Sequence, residues 1–401
     1  MKLWPFAGKK SAVSGGIDSI LRALSLSQQS AAGRPVTTES AIRQSAVFAC
    51  CTVLAQGVAQ VPCVLIKREG DRRIEARDHP LWRLLHDEPN GVQTSYEFRE
   101  QIVWNLALLG NAYVLKTRSL DGRQLLELLP LPARQVECRV TRDLQRSYIW
   151  RTGDGNALEI NAADIWHLRG PALSGFVGMA AVREAREAIG LSDAMERHAG
   201  AVFSRGTRLS GVLSGGTGVK PAEIEALRQQ WAELYSGVDN AAKTAILPGP
   251  WQWSPTDMSA VDAQLIEQRR FEIEEICRYF RVSPVMVMSN AMTQAYASIE
   301  QLFLAHVVHT LMPWYERFQQ SAAMNLLTEA EKRGGYSIKL KEQGLLRGAL
   351  RDQAEYWQRL AGIGVLSPNE IREMNDLNPY PGGDEWRVAL NTAAPGTSLK
   401  D

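Results

Sequence analysis

The sequence predicts an α+β chain built around two long helices that flank an inserted module. Three observations carry this reading. Residues 257–327 read as a helix, a break and a second helix. Residues 178–205 form another long helical run, rich in Ala and Gly, that would span roughly 40 Å at the rise of an α-helix. Ahead of it lie short alternating segments separated by turn residues, the pattern of strands and hairpins.

Residues 1–35 are rich in Gly, Ser, Ala and Gln and predict a flexible tail with one short helix over 17–26. A helix follows from Thr37 and Thr38 through Ile42, Ala46, Ala49 and Val53, ending before Pro62, and a strand covers 63–68. Thr94 and Glu97 have capping-box spacing and start a helix over 96–109, which Gly110 ends. Asp121-Gly122 turns a hairpin between strands over 111–118 and up to 129. Strand-like runs recur at 136–141, 148–151, 158–160 and 164–168.

The inserted module, 206–256, predicts a strand over 209–213, a glycine loop over 214–220, a helix over 221–235 and a strand over 244–247, ahead of Trp251 and Trp253. Pro221 and Gly237 bracket that helix with the expected asymmetry. In the next helix Leu265, Ile273, Ile276 and Phe280 share one apolar stripe, and Glu274 stands four residues before Arg278. Ser283 precedes Pro284, so this helix ends near Arg281. Ser298 and Gln301 have the spacing of a new helix start, and Pro313 inside that helix predicts a kink or break. A strand over 336–341, a helix over 349–360 and a capped start at Ser367-Pro368-Asn369-Glu370 complete the chain before a loose tail at 392–401.

Composition narrows the function. The 401 residues suffice for two or three domains, and 45% are hydrophobic. A formal net charge of +1 argues against a protein that coats nucleic acid. Cys50, Cys51, Cys63, Cys138 and Cys277 are scattered and odd in number, which reads as buried thiols in a reducing compartment. Neither a signal peptide nor a membrane span is expected, so the chain reads as a protein made in a cytoplasm.

No catalytic motif stands out, and no cofactor is expected. The loop Ser214-Gly215-Gly216-Thr217-Gly218-Val219-Lys220 resembles a phosphate loop, but Pro221 stands where a Ser or Thr is required. His306 and His309 are three apart on one helix and lack a third metal ligand. His167 reads as a half-buried strand histidine bonded to backbone. The interleaved Glu267, Arg269, Arg270, Glu272, Glu274, Glu275 and Arg278 suit a salt-bridged helix surface or a subunit contact. The competing class is an α+β hydrolase or nucleotide-processing enzyme whose site is assembled from non-local residues.

The phrases Arg278-Tyr279-Phe280-Arg281-Val282-Ser283-Pro284, Tyr296-Ala297-Ser298-Ile299-Glu300-Gln301 and Leu311-Met312-Pro313-Trp314 resemble the portal (head-to-tail connector) proteins of tailed bacteriophages. So do His79-Pro80-Leu81 with Pro89-Asn90, Gly110-Asn111-Ala112-Tyr113, Asp164-Ile165-Trp166-His167-Leu168, the start at Ser367 and Asn378-Pro379-Tyr380-Pro381-Gly382-Gly383-Asp384. The resemblance covers roughly residues 37–383. It implies a ring-forming portal fold: a wing over 36–177, stem helix one over 178–205, a clip over 206–256, stem helix two over 257–281, and a channel loop over 282–297. A long kinked helix with the C-terminal wing and a short crown part takes 298–391.

The resemblance also implies a homo-oligomeric ring, usually of twelve subunits, at one vertex of a phage capsid, with double-stranded DNA in its channel. The clip would dock the terminase large subunit and later the head-tail adaptors, and the wing would meet the major capsid or scaffold protein. The implied DNA-channel residues are Ser289, Asn290, Met292, Thr293, Gln294 and Tyr296. Arg183, Arg186, Arg197, Glu267, Arg270 and Glu274 on the stem helices are implied subunit contacts or channel lining. The segment between Val282 and Ala297 has no Lys or Arg, which suits weak, exchangeable contacts with a sliding polyanion. The chain departs from the family at Arg281 and Ser283, where glycine and proline are usual, and at Ile299, where a small polar residue is common.

Overall fold

The computed structural model describes residues 30–122, 124–205, 211–214, 225, 252–255, 260–288, 296–342, 350–375 and 377–386. The first predicted helix is two, α1 (Thr38–Arg43) and α2 (Ser45–Ala59), because Gln44 between them is extended. The Gln44 side chain explains the break: its amide donates to Glu196 at 3.2 Å and its carbonyl accepts from Ser192 at 2.9 Å. Val47, Cys50, Cys51, Leu54, Ala55 and Val58 are wholly buried, so α2 is a core helix enclosed on nearly every side. It packs on α4 (Ser95–Leu109), which starts at the expected capping box of Thr94 and Glu97. Between them in sequence lies α3 (Pro80–His86). Arg99 on α4 is buried without a carboxylate. Its guanidinium donates to the Ala59 carbonyl (2.8 Å), the Leu85 carbonyl (3.3 Å) and the Ser95 hydroxyl, so the negative ends of α2 and α3 share one cation.

Three antiparallel three-stranded sheets follow. β1 (Cys63–Glu69) lies between β2 (Arg72–Glu75) and β11 (Tyr336–Leu340), with Cys63 opposite Leu340. The sequence pattern did not indicate β2. β3 (Asn111–Arg118) lies between β4 (Leu125–Leu131) and β8 (Ile165–Arg169). β5 (Val136–Val140), β6 (Arg146–Arg151) and β7 (Ala157–Asn161) pair in sequence order. Tyr113, Leu115, Leu131, Val136, Tyr148, Ile160 and Ile165 form a small second core between the last two sheets.

The long helical run predicted from 178 begins later, as α5 (Ala181–Glu184) and α6 (Arg186–Arg205). Gly178 is held out of it by Asn111. The Asn111 Oδ1 accepts from the Gly178 N–H at 2.8 Å, and its Nδ2 donates to the Gly178 carbonyl at 2.9 Å. A Cβ on Gly110, which has left-handed φ +67, would collide with the Met179 carbonyl. β9 (Gly211–Ser214) pairs antiparallel with β10 (Gln252–Pro255), a strand the sequence did not reveal. The predicted helix over 221–235 and strand over 244–247 fall almost wholly outside the described residues. Then come α7 (Ala260–Phe280), α8 (Tyr296–Ala305), a π-helical segment (His306–Leu311) and α9 (Met312–Leu326).

The rest of the chain returns to the first part. Lys116 on β3 donates to the Asn325 carbonyl at the end of α9 (3.1 Å), and the Trp166 indole donates to Ser321 (2.9 Å). After α10 (Glu329–Arg333) and β11 come α11 (Leu350–Gly362) and α12 (Pro368–Met374), the latter capped by Ser367 as expected. The Asn369 amide folds the Pro-Gly-rich segment back, bonding Tyr380 at both N–H and carbonyl (3.0 Å each) and Asp384 (2.9 Å). Asn378 accepts the Arg73 N–H at 2.6 Å and so caps the edge strand β2.

His167 is bonded to side chains and not to backbone. Its Nε2–H donates to Asn111 Oδ1 (3.0 Å), since the Asn111 amide nitrogen is already used on two carbonyls, and its Nδ1 accepts from the Tyr148 hydroxyl (3.2 Å). Burial, with Arg169 and Arg146 nearby, pushes the imidazole down to about 3. The folded protein therefore holds neutral His167. Its contribution is present above the ordinary value of 6.5 and is lost as pH falls from 6.5 toward 3. Thermal unfolding followed between about pH 7.5 and 5 should show a falling midpoint, and His167→Gln should flatten that slope. An unchanged slope in the variant would remove His167 as its source.

Candidate functional site at the joint of the long helices

α7 buries Ile276 and Phe280 of the stripe read from the sequence, together with Cys277, in its last turns. On its outer side Arg278 pairs with Glu274 at 3.8 Å and with Glu275. The helix ends in a Schellman arrangement. The Val282 N–H donates to the Cys277 carbonyl, the Arg281 N–H donates to the Arg278 carbonyl (3.1 Å each), and Arg281 takes a left-handed φ of +55. Glycine is the usual residue at this position, because a side chain there costs roughly 1–2 kcal/mol. Ser283 is extended ahead of Pro284, and a single 3₁₀ turn, Pro284–Val287, leads to an exposed, left-handed Met288.

The second long helix explains why an arginine occupies the glycine position. Pro313 has no N–H to return to the carbonyl four residues back, that of His309. The segment His306–Leu311 widens to π-helix ahead of it, where the sequence had indicated only a kink or break. The Arg281 guanidinium donates to the His309 carbonyl at 3.4 Å, and the Thr310 hydroxyl donates to the Arg281 carbonyl at 2.8 Å. The end of α7 is thus pinned to the π segment from both sides. The π segment is in turn seated on α2: a Cβ on Gly57 would come within 2.6 Å of Leu311, and the Tyr315 hydroxyl donates to the Gly57 carbonyl at 2.9 Å.

A cavity of about 520 Å³ opens at this joint, lined by Glu274, Cys277, Arg278, Arg281, His306 and His309 among others. Burial holds the His306 imidazole below its ordinary value, and its Nδ1 has no hydrogen-bond partner among the described residues. The two histidines share this cavity, yet no group of three or more metal-ligating side chains occurs among the described residues. Nor is any helix there long and apolar enough to cross a membrane.

The nominated channel residues Ser289, Asn290, Met292, Thr293 and Gln294 lie outside the described residues, and Tyr296 is the first residue of α8. Helix α8 therefore starts two residues before the expected Ser298. The nominated stem residues form local surface pairs. Arg183 meets Glu184 at 3.0 Å, Arg186 meets Glu187 at 3.3 Å, and Arg197 meets Asp193 at 3.1 Å, while Asp193 also holds Arg34 at 2.7 Å. Glu267 and Arg270 are exposed on α7. Exposed pairs of this kind contribute at most about 1 kcal/mol each. Sequence reasoning missed Thr310 and the His309 carbonyl as parts of the joint. The proline marked the place but could not name the donor that would reach it.

The family model described as phage portal protein matches residues 45–376. The chain belongs to the phage portal protein family. It is 28% identical over 376 residues to a probable portal protein of Streptomyces phage phiC31, covering 91% of this chain and 82% of that protein. It is 26% identical over 362 residues to the portal protein of Enterobacteria phage HK97, covering 89% and 84%. Its fold matches a chain in the neck of a native gene transfer agent particle, computed with C12 symmetry. There the TM-score is 0.63 at 21% identity, covering 88% of this chain and 97% of the other. In this portal chain, Thr310→Val should lower stability by about 1 kcal/mol, the worth of one hydrogen bond, whereas Thr310→Ser should retain it. Denaturant titration of the two variants is the check. Equal stability of Val and wild type would show that the hydroxyl does not hold the joint.

Proposed function

We propose that this portal chain assembles into a closed ring at one capsid vertex, through which double-stranded DNA is packaged and ejected. The observation that carries the proposal is the path of the chain around residues 206–256. α6 and α7 pack side by side, and β9 pairs antiparallel with β10, so the chain leaves and re-enters at one place. A two-helix stem bearing a separate module follows from that path, and the module is the surface for the terminase large subunit and then the head-tail adaptors. The symmetric neck of the matching particle supports a ring of twelve. The α5–α7 charges at Arg183, Arg186, Arg197, Glu267, Arg270 and Glu274 are subunit contacts or channel lining in this reading. Residues 36–177 form the wing, which meets the major capsid or scaffold protein. The ring itself has no catalytic role, and a separate ATPase supplies the energy for packaging.

The loop that follows the joint, 282–297, is the part of the ring that meets DNA. Its lack of cationic side chains permits sliding, because a strong grip on phosphates would hold the duplex.

Native mass measurement with negative-stain imaging tests the assembly. A ring with a central hole wide enough for a duplex is expected, and a monomer or dimer that persists on co-expression with the scaffold protein would overturn it. For the loop, Asn290→Ala with Gln294→Ala should reduce packaged or retained DNA in an infectious particle. Unchanged DNA content would remove the loop from the channel.

A further inference from the structure

Cys50 and Cys277 are 227 residues apart in sequence, yet their sulfurs are 3.7 Å apart, one on the core helix α2 and the other on the last turn of α7. All five cysteines are free thiols. We propose that Cys277 and Cys50 form a redox-active dithiol, which a hydroperoxide converts into a disulfide that ties α7 to α2 beneath the joint. This is independent of the ring reading.

Two further features distinguish this pair from ordinary core cysteines. Both cysteines are buried, Cys50 wholly and Cys277 at 1% exposure, but Cys277 belongs to the wall of the cavity of about 520 Å³ that opens beside Arg278, Arg281 and His306, and Cys50 does not. A small polar oxidant in that cavity lies against the residue that bears one sulfur of the pair. The Cys50 thiol also donates its hydrogen bond to the Cys277 sulfur, which holds Cys277 below the usual thiol range and pushes Cys50 up. Burial pushes Cys51 and Cys63 up to about 12 and raises Cys138 as well. Of the five, only Cys277 is moved toward its thiolate, the form that reacts.

The chemistry closes. The Cys277 thiolate attacks one peroxide oxygen, so that an S–O bond forms and the O–O bond breaks. The departing oxygen takes a proton and leaves as water or alcohol, and Cys277 becomes a sulfenic acid. The Cys50 sulfur then attacks the Cys277 sulfur. The S–S bond forms, the S–O bond breaks, and the hydroxyl leaves as water with the Cys50 proton. The peroxide gains two electrons and the two thiols lose them. The resulting bond would join the helix that seats Leu311 and Tyr315 to the turn that carries Arg281, making the joint covalent once a particle leaves a reducing cytoplasm.

The test uses the full-length protein, treated with hydrogen peroxide, alkylated, denatured and titrated for thiols, with peptide mass spectrometry. The count is expected to fall from five to three, with a Cys50–Cys277 cross-linked peptide, and to return to five with dithiothreitol. In Cys50→Ser, Cys277 should stop at the sulfenic acid and be captured by dimedone. Five thiols remaining after peroxide would overturn the proposal. So would a loss confined to Cys138, Cys51 or Cys63. The wild-type count alone decides the matter if the serine variant fails to fold.

Discussion

A proline inside a long helix leaves one carbonyl without its donor, and the joint of this portal chain is arranged around that carbonyl. The helix widens ahead of Pro313, and a guanidinium from another helix reaches the His309 oxygen. That guanidinium is in place only because Arg281 accepts a left-handed backbone that would ordinarily require glycine. Thr310 closes the arrangement by bonding the carbonyl of that same strained residue. The end of α7 and the π segment therefore belong to one bonded unit. A local deficit in one helix has become the link that sets where the other helix stops.

The sheets are held by a different means. They close through partners far apart in sequence: β1 pairs with β11, Arg73 is capped by Asn378, and Lys116 reaches Asn325. Each contact orders a long stretch of chain, yet loop-closure entropy grows only slowly with length, so such pairings are tolerable once a core forms. Among the described residues, every buried side-chain polar atom but Glu272 Oε2 and His306 Nδ1 has a hydrogen-bond partner. Arg99 serves two helix ends, and Asn111 spends its whole hydrogen-bonding capacity on His167 of β8, the Leu109 carbonyl and the backbone of Gly178. In a core of low dielectric an unmet group would cost far more than these bonds contribute.

Family resemblance and physical reading meet in particular residues. The Gly110-Asn111 phrase is a left-handed turn followed by a polar hub, and the phrase from Asn369 to Asp384 is a loop folded onto a single asparagine. His167, which looked like a strand histidine bonded to backbone, is instead the neutral centre of a side-chain chain from Tyr148 to Asn111. Each places backbone that would otherwise be unsupported.

Local rules were enough for much of this protein. The caps at Thr94 and Ser367, the stop at Arg281, the hairpin from Asn111 and the apolar stripe of α7 are all legible in the sequence, because each depends on residues within a few positions of one another. Tertiary structure decided what depends on distant partners. Gln44 breaks a predicted helix because Ser192 and Glu196 lie beside it, and Gly178 stays out of another because Asn111 holds it. β2 and β10 pair with strands their own patterns did not reveal, and the His309 carbonyl that Pro313 leaves open is met by a donor 28 residues upstream of it. Short-range spacing encodes caps, turns and periodicity. The partner of a buried polar group is set only when the whole chain has closed around it.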